Sequence, residues 1–225
     1  MPFERKPTES APVLLNRGKA GNADVYRVEE DGAQWVIKTF ADKSPAIRAT
    51  IGRFLVAREA RILSELSGLA GIPAGIERLS AHALRYRYVP GKTLGAEKKA
   101  GRKLPEGYWL DAEKTLEGMH RRRIVHLDLR RGENWLVSDD GAPYVIDFQS
   151  ALRIDWMPAA LRRRAFLIDY SGLYKLWDAN GATPLPPDRR ELLDRVNRVR
   201  KLWIFEGYAI EKARKRRRKK RSGGA

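Results

Sequence analysis

The chain has 225 residues, with 45 Lys and Arg against 28 Asp and Glu, a formal net charge of +17 and no cysteine. Without cysteine there are no disulfides, thiolate zinc sites, iron–sulfur clusters or thiol nucleophiles, and any chemistry must use oxygen and nitrogen groups. The length suits one domain or two small lobes sharing a cleft, and 43% hydrophobic residues can supply a core.

The charge is uneven. Residues 211–221 hold nine basic residues and one acid, a net +8, which leaves +9 for the rest. A block of that kind repels itself and has no apolar face, so residues 211–225 read as a solvated basic tail. Such a charge calls for anionic partners: nucleic acid, anionic lipid or phosphorylated molecules. No apolar run approaches the length of a transmembrane helix, and Met1-Pro2-Phe3-Glu4-Arg5-Lys6 leads into no signal-peptide core. The expected location is cytoplasmic, with peripheral contact on the inner face of a membrane through the tail.

In chain order, residues 1–11 are polar and predict a flexible N-terminus. Val13-Leu14-Leu15 opens a strand. Gly18-Lys19-Ala20-Gly21-Asn22-Ala23 is a loop of small residues. Val25-Tyr26-Arg27-Val28 resumes the strand pattern, Asp31-Gly32 signals a hairpin, and Trp35 to Phe40 gives a third strand. Residues 46–68 predict a helix with Ile51, Leu55, Ile62 and Leu66 on one face, stopped by Gly68, Gly71 and Pro73. Ile76 to Ser80 and Ala83 to Val89 predict two more strands, broken by Pro90-Gly91. Residues 106–121 predict a second helix with Trp109, Ala112, Leu116 and Met119 on one face. Short strands at Trp135-Leu136-Val137 and Tyr144-Val145-Ile146 flank the turn Asp139-Asp140-Gly141. Beyond about residue 158 the pattern is helical, with a Pro-rich break at 183–187.

Five strands with one inserted helix, followed by a mostly helical half, predict an α+β, two-lobed layout with a boundary at Val89 to Thr93. The divisions are 12–90, 91–210 and the tail. Trp35 and Trp135 are expected in the core, and His82 and His120 as packing or surface residues.

The chemistry-bearing segment is His126-Leu127-Asp128-Leu129-Arg130-Arg131-Gly132-Glu133-Asn134, followed by Val145-Ile146-Asp147-Phe148-Gln149. It offers a carboxylate, an amide six residues on, and a second carboxylate after an apolar strand. Phosphoryl transfer uses such parts: a carboxylate to accept the attacking hydroxyl's proton, and hard oxygen ligands for Mg²⁺. Taken singly, His126-x-Asp128 and Asp147 are equally ordinary turn residues. Glu59 lies beside Leu55 and Ile62 at the edge of an apolar stripe, where a carboxylate needs a partner.

These segments resemble the catalytic and metal-binding loops of the protein-kinase-like superfamily. The resemblance implies that Asp128 is the catalytic base, that Asn134 and Asp147 bind Mg²⁺, and that Arg130 occupies the position of a phosphate-facing lysine. It implies that Lys38, ending Val36-Ile37-Lys38, pairs with Glu59 and contacts the ATP phosphates. It also implies that the loop Gly18-Lys19-Ala20-Gly21 cradles those phosphates, with Ala at two positions where the family has Gly.

The sequence departs from the pattern in places. Asp128 and Asn134 are one residue further apart than in typical protein kinases, which suggests a bulge relaxed by Gly132 and makes Glu133 an alternative ligand. Leu127 and Gln149 replace a family Arg and Gly, and no Ala-Pro-Glu element follows, so control by activation-loop phosphorylation is not expected. The short helical half is similar to that of the small bacterial lipopolysaccharide-core (Kdo and heptose) kinases and of RIO-type atypical kinases. The resemblance therefore implies an ATP- and Mg²⁺-dependent phosphotransferase. Its acceptor would be an anionic glycolipid or saccharide, with a protein substrate or a catalytically degenerate nucleic-acid-binding scaffold as rivals. Arg121-Arg122-Arg123 and Arg162-Arg163-Arg164 suit a basic rim or a solvated face.

Overall fold

The structure, a computed structural model, describes residues 11–18 and 21–198. The expected N-terminal segment lies almost wholly outside these residues, as do Lys19, Ala20 and the whole basic tail. The architecture is α+β. Strands β1 (Val13–Asn16), β2 (Asp24–Glu30), β3 (Ala33–Thr39), β4 (Glu77–Arg78) and β5 (Ala83–Arg87) form an antiparallel sheet in the order β1-β2-β3-β5-β4.

The β2–β3 hairpin turns on Asp31 and Gly32, at φ 52° and 69°. Two consecutive left-handed residues match the right-handed twist of a two-residue hairpin, which is why Asp-Gly serves here. β3 is central, paired with β2 on one side and β5 on the other. Its residues Val36, Ile37 and Lys38 are all buried. A strand alternates its side chains, so Val36 and Lys38 share one face and Ile37 takes the other.

Between β3 and β4 the chain forms α1 (Pro45–Ile47), a π-helical turn (Arg48–Gly52) and α2 (Arg53–Glu65). The expected continuous helix over 46–68 is thus interrupted at its start and ends earlier. The π turn carries an extra residue per turn and rotates the helix face. Ile51, expected on the buried stripe, is 49% exposed, whereas Val56, Glu59, Ala60, Ile62 and Leu63 are buried. Gly52 closes the turn against Phe40, where a Cβ would lie 2.9 Å from the ring.

The rest of the chain carries two small sheets and the longer helices. β6 (Gly91–Thr93), β8 (Trp135–Ser138) and β9 (Pro143–Val145) pair in the order β6-β8-β9, and β7 (Ile124–Val125) pairs with β10 (Leu152–Arg153). Helices α3 (Leu94–Lys99), α4 (Glu106–Arg121) and α5 (Ala159–Asn180) surround them, and residues 187–198 are also helical. α3, β6, β7 and β10 are too short to leave a periodic signal, and the sequence pattern did not reveal them. The expected strand over 76–80 shrinks to the two residues of β4.

The helical core is built on α4 and α5. Trp109, Ala112, Leu116 and Met119 are fully buried, as their spacing predicts. The Trp109 ring stacks on Trp177 of α5 at 5.9 Å between centroids and 9° between planes. Gly118 lets Leu69 approach α4, since a Cβ there would lie 2.4 Å from Leu69 Cδ1. Trp135 is in the core. Trp35 is not: it is half-buried, with the Arg85 and Arg87 guanidinium groups over its ring at 4.3 and 4.0 Å. It lies on the face of β3 opposite Val36 and Lys38, where the long arginine stems cover it.

The Trp109→Ala substitution removes one half of the stacked pair and leaves a large cavity. It is expected to lower unfolding free energy by about 3–5 kcal/mol, measured by urea denaturation followed by far-ultraviolet circular dichroism.

Candidate active site

The sheet and the β8–β9 hairpin enclose a cleft of about 470 Å³. Val25, Val36, Tyr86, Tyr88, Leu136 and Ile146 give it apolar walls. Lys38, Asn134 and Asp147 form a polar end.

Lys38 is the centre of that end. Its ammonium lies 2.8 Å from Glu59 Oε1 and 2.8 Å from Asp147 Oδ1. These partners come from three parts of the chain: the C-terminal end of β3, the buried face of α2, and the residue two beyond β9. Lys38 and Glu59 are 4% and 2% exposed, whereas the Asp147 side chain is 49% exposed and opens to the cleft. Burial alone would pull the Lys38 ammonium down, but the Glu59 and Asp147 charges outweigh it and hold the group protonated well above the ordinary lysine value. Burial pushes the Glu59 carboxyl up, against the opposing pull of Lys38. Burial also acts on Asp147, but there the Lys38 charge and hydrogen bond prevail and hold its carboxyl below the ordinary value.

The second carboxylate of the site, Asp128, is anchored from behind. Asn134 Nδ2 donates to the Asp128 carbonyl at 2.9 Å and to its Oδ2 at 3.2 Å. Arg131 Nε lies 3.4 Å from the other oxygen, Oδ1. A 3₁₀ turn over Gly132–Asn134 leads from this loop into β8. Gly132 is not in the left-handed region. It is needed for close approach, because a Cβ would lie 2.9 Å from Gly95 N at the start of α3. Asn134 is buried and faces Asp128, whereas Glu133 is exposed, though it too borders the cleft.

The loop that carries Asp128 is held by Asp169, a fully buried carboxylate on α5. Asp169 accepts the His126 and Leu127 amide hydrogens at 2.9 and 2.8 Å, and lies 3.1 Å from His120 Nε2. Leu127 sits at φ 67°, a conformation that costs an L-residue about 1–2 kcal/mol. The carboxylate beneath it supplies the compensating hydrogen bond. His126 Nε2 donates to the Ile146 carbonyl at 3.0 Å, which ties this loop to the residue before Asp147. Burial lowers the His126 pKa and disfavours the charged form of the ring. Asp147 is also left-handed, at φ 63°, and Phe148 turns back onto His126 with ring centroids 5.0 Å apart.

The small-residue loop is fixed at its base. Buried Asp24 accepts from Gly18 N and from Lys43 Nζ, both at 2.8 Å, and Lys43 also donates to the Gly18 carbonyl at 2.9 Å. A Cβ on Gly18 would lie 2.2 Å from the Asn22 carbonyl oxygen, so only glycine fits. Gly21 is exposed at the loop edge, and Lys19 and Ala20 lie outside the described residues.

The structure therefore brings Lys38, Glu59 and Asp147 into direct contact, and Asp128 against Asn134. Arg130 lies elsewhere. Its guanidinium donates to Ser171 Oγ on α5 and to Asn197 Oδ1, both at 3.2 Å; the residues lining the cleft include neither Arg130 nor Arg131 nor Asp128, which meets the cleft only through Asn134. Arg131, 71% exposed in its side chain, is the guanidinium beside Asp128. Sequence reasoning missed Asp169, Asp24 and Lys43. A lone acid inside the apolar run Leu167-Ile168-Asp169-Tyr170 was the available signal for Asp169, since a buried carboxylate needs donors.

The donor set suits a hard divalent cation. No hydrogen bond from the described residues reaches Asn134 Oδ1, and the Asp147 carboxylate is half open to the cleft. Among the described residues no group of three or more His, Cys, Asp or Glu comes together. One carboxylate and one amide oxygen match Mg²⁺, which takes few protein ligands and completes its shell with phosphates and water. Comparison with protein-family models and with characterised proteins gave no match to this chain.

Lys38→Met leaves Glu59 buried without its counter-charge and is expected to cost about 3–5 kcal/mol of stability. The double variant Lys38→Met/Glu59→Leu replaces both charges by apolar groups and is expected to recover most of that loss in urea unfolding.

Proposed function

We propose that this chain is an ATP- and Mg²⁺-dependent phosphotransferase of two-lobed, protein-kinase-like arrangement. In this reading it phosphorylates a sugar hydroxyl of an anionic, lipopolysaccharide-core-like acceptor. The observation that carries the reading is the Lys38 ammonium, 2.8 Å from both Glu59 and Asp147 at the polar end of an apolar-walled cleft. A flat aromatic base suits the walls formed by Val25, Val36, Tyr86 and Leu136, and phosphates suit the polar end.

Each residue then has a task. Glu59 holds Lys38 so that its ammonium meets the phosphate oxygens without searching for a conformation. Asp147 and Asn134 are the residues that would hold Mg²⁺. When bound, Mg²⁺ supplies charge neutralisation across the transferred phosphate. Asp128 accepts the proton of the acceptor hydroxyl as its oxygen bonds to the γ-phosphorus and the bridging P–O bond to ADP breaks. Asn134 fixes Asp128 through Oδ2 and leaves Oδ1 as the oxygen available to the hydroxyl. Arg131 beside that oxygen favours an acceptor that carries its own negative charge. In this reading Arg131 takes the part that the family resemblance assigns to Arg130.

Asp128→Ala is expected to lower transfer of radiolabelled phosphate from ATP to glycolipid acceptors by about 10²–10⁴-fold, with ATP affinity by calorimetry nearly unchanged. Turnover equal to the unmodified protein would overturn the assignment. Label on protein with none on glycolipid would move the acceptor to the protein class.

A further inference from the structure

The segment from Trp156 to Ile168 contains three arginines and no acidic residue. It also carries three exposed large hydrophobic side chains: Trp156 at 73%, Leu161 at 47% and Ile168 at 44%. Trp156 is the most exposed of the large hydrophobic residues described. Trp156 lies two residues before the N-cap of α5, on the turn that leads into the helix. The Trp156 indole N–H donates to the Arg153 carbonyl at 3.1 Å, and Arg162 Nη1 donates to the Met157 carbonyl at 2.6 Å. Those bonds clamp the turn bearing Trp156 against the first turn of α5. Along α5, at about 100° per residue, Arg163, Ala160, Arg164, Ile168 and Leu161 follow one another around one side. All five are exposed; Asp169, Leu173 and Leu176 are buried on the other side, and further along the helix Ser171 and Tyr174, on the same side, are buried.

The charge on this side is unspent. Arg61, Arg85, Arg153, Arg189 and Arg190 each pair with a carboxylate. Neither Arg163 nor Arg164 has an acidic partner among the described residues. Exposed aromatic and aliphatic side chains interleaved with unpaired arginines are the composition of a surface that lies in the headgroup layer of a bilayer. A nucleic acid or a soluble phosphate would engage the arginines but gives Leu161 and Ile168 nothing to bury against.

We propose that the surface formed by Trp156 and the exposed side of α5 docks on an anionic membrane. Arg163 and Arg164 meet the headgroup phosphates, and Trp156, Leu161 and Ile168 enter the boundary with the acyl chains. This inference stands apart from the phosphotransferase reading and from the basic tail, which adds its attraction independently.

The test uses the full chain and vesicles of phosphatidylcholine with or without phosphatidylglycerol. Arg163→Gln/Arg164→Gln is expected to lower partitioning onto the anionic vesicles about 25-fold, at about five-fold per arginine. Trp156→Phe is expected to remove most of the fluorescence quenching by brominated lipid, with unchanged circular dichroism. Partitioning within two-fold of the unmodified protein, or quenching retained in Trp156→Phe, would overturn the proposal. Loss of duplex DNA binding in the arginine variant, with vesicle binding intact, would reassign the surface to nucleic acid.

Discussion

The structure is organised around one buried ammonium. Lys38 sits on the central strand of the five-stranded sheet, where both faces are covered, and burying a charge there is unfavourable unless it is paired. Two carboxylates meet that demand from opposite directions. Glu59 brings α2 onto the sheet, and Asp147 brings the end of the β8–β9 hairpin to the same point. The contact from Lys38 to Asp147 spans 109 residues of sequence and ties the sheet to the segment after β9 at the cleft. The two carboxylates differ in kind. Glu59 is sealed and can only hold Lys38, whereas Asp147 is half open and keeps an oxygen face toward whatever enters.

A second buried charge does for the backbone what Lys38 does for the side chains. Asp169 spends its carboxylate on two consecutive amides and a histidine, and so keeps Leu127 in a left-handed conformation that its side chain disfavours. That conformation turns Asp128 outward, beside Asn134. His126 links the same loop to Ile146 and so to Asp147. Asp169 and His126 thus tie the loop bearing Asp128 to the residue before Asp147.

Much of this was legible in the sequence. Asp31-Gly32 marked its hairpin because only special residues tolerate two left-handed conformations in succession. The helix over 106–121 was readable because Trp109, Ala112, Leu116 and Met119 repeat at helical spacing and all reach the core. Lys38 and Glu59 meet as the resemblance implied. The misses also have physical causes. Ile51 was placed on one stripe with Leu55, Ile62 and Leu66, but the buried face of α2 is centred further round, on Val56, Glu59 and Leu63, and Ile51 falls at its edge. The resemblance put Arg130 at the position of a phosphate-facing lysine, but its partners Ser171 and Asn197 lie 41 and 67 residues away and leave no local trace. Asp24 and Lys43 escaped notice for the same reason, since a polar contact between a strand end and a loop has no period.

The central claim is that the polar end of the cleft receives nucleotide phosphates together with Mg²⁺. Calorimetric titration of ATP, with Mg²⁺ present and with it chelated, tests this most directly. The account predicts binding that tightens when Mg²⁺ is present and that loses this dependence in the Asp147→Asn variant. ATP binding indifferent to Mg²⁺, or Mg²⁺ dependence unchanged by that substitution, would contradict it.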